Sequence, residues 1–195
     1  MSPEPDIAEG PDGRPRCRWG LSSPEYIDYH DTEWGRPIHG ENELYERLTL
    51  EAFQSGLSWL TILRKRESFR RAFDGFDIER VAAYGTREVK RLLGDEGIVR
   101  NRKKIDAAIA NARAARELHA AGETLDGLVW SFAPDPESRP APKRGADIPA
   151  ITDESTALAK ELKRRGFVFV GPTTAYATMQ AVGLVNDHLA GCAFR

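Results

Sequence analysis

The chain has 195 residues, the usual length of a single domain, and its 28 basic and 30 acidic side chains leave a formal charge of −2. This balance excludes a histone-like or tail-driven nucleic-acid binder, although a local basic face remains compatible with it. No apolar run approaches the roughly 18 residues that span a bilayer, and the N-terminal sequence lacks a signal-peptide core. We therefore expect a cytoplasmic protein with no membrane partner.

The order of the elements along the chain predicts an all-α protein. Residues 1–15 are acidic and rich in proline and glycine, which indicates a flexible leader before a single two-lobed helical domain at 16–195. Within that domain, a capping residue, an amphipathic run and a closing glycine recur, and strand signals are minimal. A proline-rich surface loop is expected at 133–149. The expected helices occupy residues 41–56, 59–75, 77–85, 86–94, 101–122, 153–166 and 172–183.

Cysteine and histidine pairs lie near the two ends of the chain. Cys17 precedes His30 by thirteen positions, and His188 precedes Cys192 by four, which on a helix would put both side chains on one face. Two thiolates and two imidazoles form the tetrahedral shell that suits structural zinc. We expect one zinc ion per chain, joining the N- and C-terminal segments. The alternative is that the thiols belong to the core and the histidines are ordinary polar residues.

Aromatic residues are concentrated in the first third of the chain, where they include Trp19, Tyr26, Tyr29, Trp34 and Trp59. Clusters of this kind usually belong to a hydrophobic core. The segment around the first four is polar and rich in turn residues, however, which favours exposed rings that stack on a planar ligand. Both interpretations remain open from the sequence.

Glu51 stands on the otherwise apolar face of the helix predicted at 41–56. A glutamate there is costly to bury unless it is paired or functional, and a salt-bridged glutamate is the simpler alternative. Within an aromatic pocket, its charge would favour a cationic ligand.

A glycine-punctuated corner connects the last two predicted helices. Gly166 and Gly171 permit a short hairpin and leave backbone amides exposed at a helix start, which is a ready phosphate site. Lys163 and Arg164 stand beside it. The alternative is an ordinary helix corner, because glycine–proline punctuation is common.

Taken together, these features and seven segments of the sequence resemble the 3-methyladenine DNA glycosylase I family over nearly the whole chain, from Cys17 to Cys192. The resemblance implies a helix-hairpin-helix DNA glycosylase that excises 3-methyladenine from double-stranded DNA and releases the free base. It also implies base flipping, with a monomer as the expected state. The segments that carry it are CRWG, YIDYHDTEWGRP, LEAFQSGLSWLTILRKRESFRRAF, GIVRNRKKI, VWSF, LKRRGFVFVGPTTAYATMQAVGLVNDH and HLAGC.

The resemblance also implies roles for individual residues. Glu51 and Tyr29 match groups that contact the extruded base, and Trp59 matches the ring that stacks on it. Trp19, Tyr26 and Trp34 match further pocket aromatics. The family's zinc ligands match Cys17, His30, His188 and Cys192, and the hairpin that grips the DNA backbone matches Gly166 to Thr174, including Gly171 and Thr173, with Lys163 and Arg164 beside it.

Two absences narrow the expected chemistry. Relatives that also cut the strand carry a lysine just after the hairpin, whereas here Pro172, Thr173 and Thr174 follow Gly171, so a monofunctional enzyme is expected. Asp187 is the nearest candidate for a catalytic aspartate, but its place beside His188 favours a supporting role. Two rivals remain: a non-catalytic zinc-stapled sensor of alkylated DNA, and a helical module that binds a small aromatic cation.

Overall fold

Residues 5–195 are described by a computed structural model, and they fold mostly into helices. Two short antiparallel strands, β1 (Ile7–Glu9) and β2 (Pro15–Cys17), pair Ile7 with Cys17. None of the described helices is both long and apolar enough to cross a membrane. The helices are α1 (Pro24–Thr32), α2 (Glu41–Gln54), α3 (Trp59–Ala72), α4 (Ile78–Ala82), α5 (Thr86–Gly94), α6 (Arg102–Ala120), α7 (Leu125–Trp130), α8 (Asp153–Arg164) and α9 (Pro172–Ala181).

The β1–β2 hairpin corrects the expectation that nothing regular precedes Cys17. Arg16 at its end is buried and binds the carboxylates of both Asp12 and Asp31, so the hairpin is tied to α1. A paired guanidinium buried under a polar segment leaves no hydrophobic periodicity, which explains why the sequence reads as unstructured. Residues 1–4 of the expected leader lie outside the described residues, and the two-lobed division of 16–195 stays a prediction.

Side-chain caps fix the starts of several helices, as predicted. Ser58 accepts a hydrogen bond from the backbone N–H of Thr61, and Asn101 accepts one from Lys104. Asp77 caps α4 in the same way. Each bond satisfies a donor that the first helical turn cannot satisfy internally. The seven predicted helices are confirmed to within a few residues at each end.

Two of the helices were not predicted. The segment that reads as polar and rich in turns contains α1, which Ser23 caps with Pro24 in its first turn, and Thr124 caps the short α7. Only Tyr29 and His30 of α1 are buried. So few buried positions in nine residues give no helical period for sequence analysis to detect.

The core extends from α1 to α9 and packs around α2, on which ten consecutive residues are buried. A row of aromatic rings fills its centre, and the rings of Phe73 and Phe76 are nearly parallel, with 5.6 Å between their centroids. Helix α2 also packs against α9, which follows α8 through a short loop at 165–171. Residues 133–149 contain only two isolated turns of 3-10 helix, consistent with the predicted loop. Ala177 and Gln180, in the second half of α9, and the C-terminal half of α2 thereby face one cavity.

Candidate active site

A cavity of about 310 Å³ opens among α1, α2, α3 and α9. Its volume lies at the lower end of small-molecule sites, which fits one planar heterocycle and excludes a duplex. All six residues predicted to contact a base lie around it. The lining consists of Trp19, Tyr26, Tyr29, Trp34, Glu51, Gln54, Trp59, Ile148, Ala177 and Gln180.

The aromatic walls of this cavity are held by ring-to-ring packing. Trp19 contacts Trp34 edge-on at 4.9 Å and Tyr26 edge-on at 5.6 Å, while Tyr29 and Trp59 are tilted against each other at 5.3 Å. The expectation of exposed rings is wrong for Tyr29 and Trp34, and these two rings and Trp59 are each less than a tenth exposed. These rings belong to the core and line the cavity at once, so the two interpretations of the aromatic cluster do not exclude each other.

Two hydrogen-bonding groups in the cavity wall are left for a ligand. The indole Nε1–H of Trp59 is buried and has no partner among the described residues. Burial raises the pKa of the Tyr29 hydroxyl well above 10, and the nearby Glu51 carboxyl adds to this, so the phenol stays protonated. The cavity therefore offers donors as well as π-faces.

Glu51 is the buried carboxyl group of this cavity. It is 6% exposed, and no described residue donates a hydrogen bond to its side chain. Burial raises its pKa to about 8, opposed only by the charge of Arg47 one helical turn earlier. Arg47 is itself bound to Glu33, which Arg66 also holds. The salt-bridged alternative for Glu51 is therefore wrong, and a cation in the cavity would relieve the unfavourable burial of its charge.

The four Cys and His side chains predicted to bind a metal come together in one buried cluster. Their ligand atoms all lie within 4.8 Å of one another. His188 Nδ1 is 3.1 Å from His30 Nε2 and 3.4 Å from Cys192 Sγ, and Cys17 Sγ is 3.9 Å from His188 Nδ1. Metal–ligand bonds of about 2.0–2.3 Å in a tetrahedron separate ligand pairs by roughly 3.3–3.8 Å. The four groups could hold one metal ion.

The hydrogen bonds around this cluster leave the correct atoms free for a metal. His30 uses Nδ1 to bind Asp31 at 2.8 Å, and His188 uses Nε2 to bind the Trp34 carbonyl at 3.0 Å. The remaining nitrogens face the cluster, which is how metal-binding histidines are usually oriented. Burial lowers the pKa of His188 to about 4 and raises that of Cys17 to about 12. A divalent cation would favour the Cys17 thiolate instead.

His188 and Cys192 do not lie on a helix, so the shared face that a helix would give them does not form. Helix α9 ends at Ala181, and the chain reaches the cluster through irregular backbone with a turn in which the Cys192 N–H donates to the Leu189 carbonyl. Such a turn also brings residues four positions apart together. His188 and Cys192 are therefore close together as expected, but a turn brings them together instead of a helix.

The sequence profile of the methyladenine glycosylase family matches residues 19–195 of the chain. The chain belongs to this family. It is 48% identical over 177 residues to DNA-3-methyladenine glycosylase 1 of Escherichia coli (strain K12), covering 91% of this chain and 95% of that protein. DNA-3-methyladenine glycosylase of Haemophilus influenzae (strain ATCC 51907 / DSM 11121 / KW20 / Rd) is 43% identical over 180 residues, with 91% and 96% covered.

Solved structures of methyladenine glycosylases have the same fold. The crystal structure of a 3-methyladenine DNA glycosylase I superimposes with a TM-score of 0.86 at 48% identity, covering 91% of this chain and 98% of that one. The 3-methyladenine DNA glycosylase I of Staphylococcus aureus, described in a study of 3-methyladenine recognition, gives 0.84 at 34% identity, with 91% and 95% covered. The helical architecture is thus that of the family.

In this methyladenine glycosylase, the predicted backbone-gripping residues lie at the α8–α9 loop. Lys163, Arg164 and Gly166 are exposed at the end of α8, and Thr173 is exposed in the first turn of α9. Gly166 adopts a left-handed φ of +91°, as a tight turn requires, whereas Gly171 has an ordinary φ of −74°. The second left-handed residue is instead Phe169, which is 41% exposed.

Several residues at the site escaped sequence analysis. Gln54, Ile148, Ala177 and Gln180 also line the cavity, and none of these four side chains carries a charge or an aromatic ring that would mark it in the sequence. Leu57 is 42% exposed in the α2–α3 loop, at an adjoining cleft of about 370 Å³ that Thr173 borders from the other side. The signal that the sequence offers for Leu57 is its place in a glycine-containing loop between two helices. Its exposure is seen only in the structure.

Asn111 was also not identified from the sequence, although it holds the α8–α9 loop. Its buried side chain donates from Nδ2 to the Val168 carbonyl at 3.1 Å and accepts from the Val168 N–H at 2.8 Å. An amide that satisfies both backbone groups of one residue fixes that residue in place. The loop next to Phe169 is therefore held by α6, far away in sequence.

Proposed function

We propose that this chain is a monofunctional DNA-3-methyladenine glycosylase, which flips the damaged base into the cavity and hydrolyses its glycosidic bond. One observation carries the proposal: Glu51, a buried carboxyl group that has no hydrogen-bond partner among the described residues, faces a cavity walled by aromatic rings. Aromatic faces and a carboxylate together attract a planar cation. The names of the relatives, DNA-3-methyladenine glycosylases of two bacteria, support the same substrate.

Recognition of the cation supplies the selectivity. Adenine methylated at N3 is cationic while it is attached to deoxyribose, so its glycosidic bond is already weak and the base needs no protonation to depart. The raised pKa of Glu51 means that ionisation is unfavourable in the empty cavity, and a cationic base removes this penalty. Neutral adenine gains nothing comparable. Selectivity thus comes from charge and stacking instead of strong acid catalysis.

The reaction is a hydrolysis. The C1′–N9 bond breaks with its electron pair going to the base, which leaves as neutral 3-methyladenine. Water supplies the hydroxyl group to C1′, and its remaining proton passes to solvent, so an abasic site is formed. We assign Glu51 to recognition of the base. Tyr29 and Trp59 contact and stack on that base, while Trp19, Tyr26 and Trp34 complete the wall.

No covalent step through an amine is proposed. Pro172, Thr173 and Thr174 follow Gly171, so no lysine stands at the start of α9. Asp187 is buried and accepts hydrogen bonds from Tyr176, Gln180 and Arg139, and it lines a different cavity. We therefore give Asp187 no part in attacking the sugar.

The α8–α9 unit is proposed as a helix-hairpin-helix that binds the DNA backbone. Within the loop, the N–H groups of Phe169, Val170 and Gly171 have no partner among the described residues, and Asn111 holds the neighbouring Val168 in place. Lys163 and Arg164 add positive charge beside it. Double-stranded DNA with 3-methyladenine is the proposed substrate, bound by a cytoplasmic monomer.

Loss of the two basic residues at this loop is expected to weaken DNA binding without altering the cavity. For Lys163→Ala with Arg164→Ala, the slope of log affinity against log salt concentration should fall by about two, because two phosphate contacts are lost. Affinity for free 3-methyladenine should stay at the wild-type value. Arg80→Ala with Arg87→Ala, which removes two exposed arginines of α4 and α5, is the control. An equal change in slope for both double variants would contradict the assignment.

Leu57 is proposed to fill the gap that the flipped base leaves in the duplex. Apolar side chains inserted at a base step compensate part of the lost stacking. We expect Leu57→Ala to slow excision from paired DNA by about tenfold, and to have little effect when the damaged base is left unpaired and has less stacking to lose. Single-turnover rates on the two DNAs measure this. Equal slowing on both would place Leu57 outside the flipping step.

The metal is proposed to be one structural zinc ion bound by Cys17, His30, His188 and Cys192. The donor set of two sulfurs and two nitrogens is typical of closed zinc sites, which leave no position for substrate. Zinc would supply a fixed junction between the N-terminal hairpin and the C-terminal segment. No chemical step is assigned to it.

Strand analysis tests the monofunctional reaction. Duplex DNA carrying 3-methyladenine is incubated with the protein, then analysed with and without alkali. A monofunctional glycosylase leaves intact strands that break at the abasic site only after alkali treatment. Breaks without alkali would overturn the monofunctional assignment, and no breaks under either condition would favour a non-catalytic sensor.

A further inference from the structure

The side chain of Gln180, which lines the cavity, is oriented by a buried charged group. It lies at the end of α9, and its Nε2 donates to Oδ2 of Asp187 at 2.9 Å. Its backbone carbonyl accepts from the N–H of Gly35, which joins it to the segment that carries Trp34. Both ends of Gln180 are therefore fixed.

Asp187 decides which way the Gln180 amide points. The carboxylate is 3% exposed, and it also accepts hydrogen bonds from the Tyr176 hydroxyl and from Arg139. A carboxylate paired with a guanidinium only accepts hydrogen bonds, so it selects the NH₂ group of the amide and excludes the carbonyl. The hydrogen-bond network therefore fixes which end of the Gln180 amide faces Asp187.

Because of this orientation, the side-chain carbonyl of Gln180, a residue that lines the cavity, remains available as a hydrogen-bond acceptor. With Nε2 bound to Asp187, the Gln180 Oε1 accepts no hydrogen bond from any described residue. Unlike Glu51, this oxygen cannot become a donor at any pH. In the empty cavity, the raised pKa of Glu51, about 8, keeps its carboxyl group protonated near neutrality, so this group has a donor as well as acceptors until a cationic base favours the carboxylate.

We propose that Gln180 determines specificity at the 6-position of the bound purine: its carbonyl, held by Asp187, accepts a hydrogen bond from an exocyclic amino group and rejects a 6-oxo group. The inference rests on the proposed function, since it names which edge of the base that cavity reads. Asp187 is the positioning residue for this contact. A 6-oxo purine would place an acceptor against an acceptor, with neither hydrogen bond made.

The test uses two free bases, 3-methyladenine and 3-methylhypoxanthine, which differ in the 6-substituent and in the ring N–H that accompanies the oxo group, with affinity measured by quenching of tryptophan fluorescence. The wild type should prefer 3-methyladenine by about tenfold or more. Gln180→Leu should lose that preference, chiefly through weaker binding of 3-methyladenine. Asp187→Asn lets the amide rotate and present its NH₂ group, so the preference should fall or reverse.

Controls distinguish a specific loss of the Gln180 contact from a general disturbance of the cavity or the fold. Gln54→Leu removes another cavity glutamine, one whose amide is positioned by no residue of the described part of the chain, and it should change both affinities by one factor. Thermal melting and metal content confirm that each variant is folded. An unchanged preference in folded Gln180→Leu or Asp187→Asn overturns the inference while leaving the proposed function intact. A wild type that binds neither base and excises nothing overturns the proposed function itself.

Discussion

Glu51→Gln is expected to make the free protein more stable than the wild type at pH 9. The native state holds a proton on Glu51 up to a pKa of about 8, whereas the unfolded chain releases it near 4.5. Because the native state binds the extra proton, wild-type stability falls as the pH rises from 4.5 to 8. Glutamine carries no charge at any pH and escapes this loss. The difference in unfolding free energy should grow with pH to at most about 5 kcal/mol.

Denaturant unfolding between pH 4 and pH 9 measures this effect. The two proteins should converge at the acidic end and diverge above pH 5. Glu46→Gln is the matched control on α2, because Glu46 is paired with Arg70 and its loss should destabilise the protein. Parallel curves for wild type and Glu51→Gln would contradict the unpaired, buried state of this carboxyl group.

The same substitution should lower activity. A neutral amide cannot balance the charge of a cationic base, so we expect the excision rate of Glu51→Gln to fall at least about tenfold. Gain of stability with loss of activity identifies a residue kept for its ligand instead of for the fold. If Glu51→Gln excises 3-methyladenine at the wild-type rate, Glu51 has no part in recognition.

Cys192→Ser should remove the bound metal and lower stability by about 3 kcal/mol or more, because one of four ligands is lost from a buried junction. It should also weaken 3-methyladenine binding. Trp19 packs edge-on against His30 at 5.2 Å, and Trp34 packs against His188 at 4.8 Å, so two cavity walls rest on the cluster. Metal content by atomic emission, melting temperature and base affinity report the three effects.

A histidine outside the cluster provides the comparison. His39 is exposed and stacks on Trp130, so His39→Ala should retain the full metal content. A Cys192→Ser protein with one metal per chain and an unchanged melting temperature would show that the cluster does not hold the ion. Retained base affinity after metal loss would separate the cluster from the cavity.

Helices with strong local signals could be predicted from the sequence. Ser58 and Asn101 mark their starts by capping chemistry that needs only the next three residues. The hairpin containing Arg16 could not, because its order depends on Asp31 of another segment. Helix α1 was missed because its polar sequence buries only two residues, one of them the proposed metal ligand His30.

The residues of the candidate site likewise fall into those that the sequence marks and those that only the fold reveals. Glu51 is conspicuous as a carboxyl group on an apolar helix face, and the aromatic residues are conspicuous by their density. Gln180 and Asn111 carry ordinary amides, and their roles come from Asp187 and Val168, which only the folded chain brings beside them. Whether a ring is core or ligand wall is likewise decided by packing, as the buried Tyr29 shows.

Release of base from N-methylated duplex DNA tests the central claim most directly. Soluble products are separated by chromatography, beside a control without protein that measures spontaneous loss. The account predicts free 3-methyladenine above that control, while cationic 7-methylguanine, which carries its methyl group on another edge and a 6-oxo group, stays in the DNA. Folded, metal-loaded protein that releases no 3-methyladenine would contradict the account, and a sensor of alkylated DNA would then be the better description.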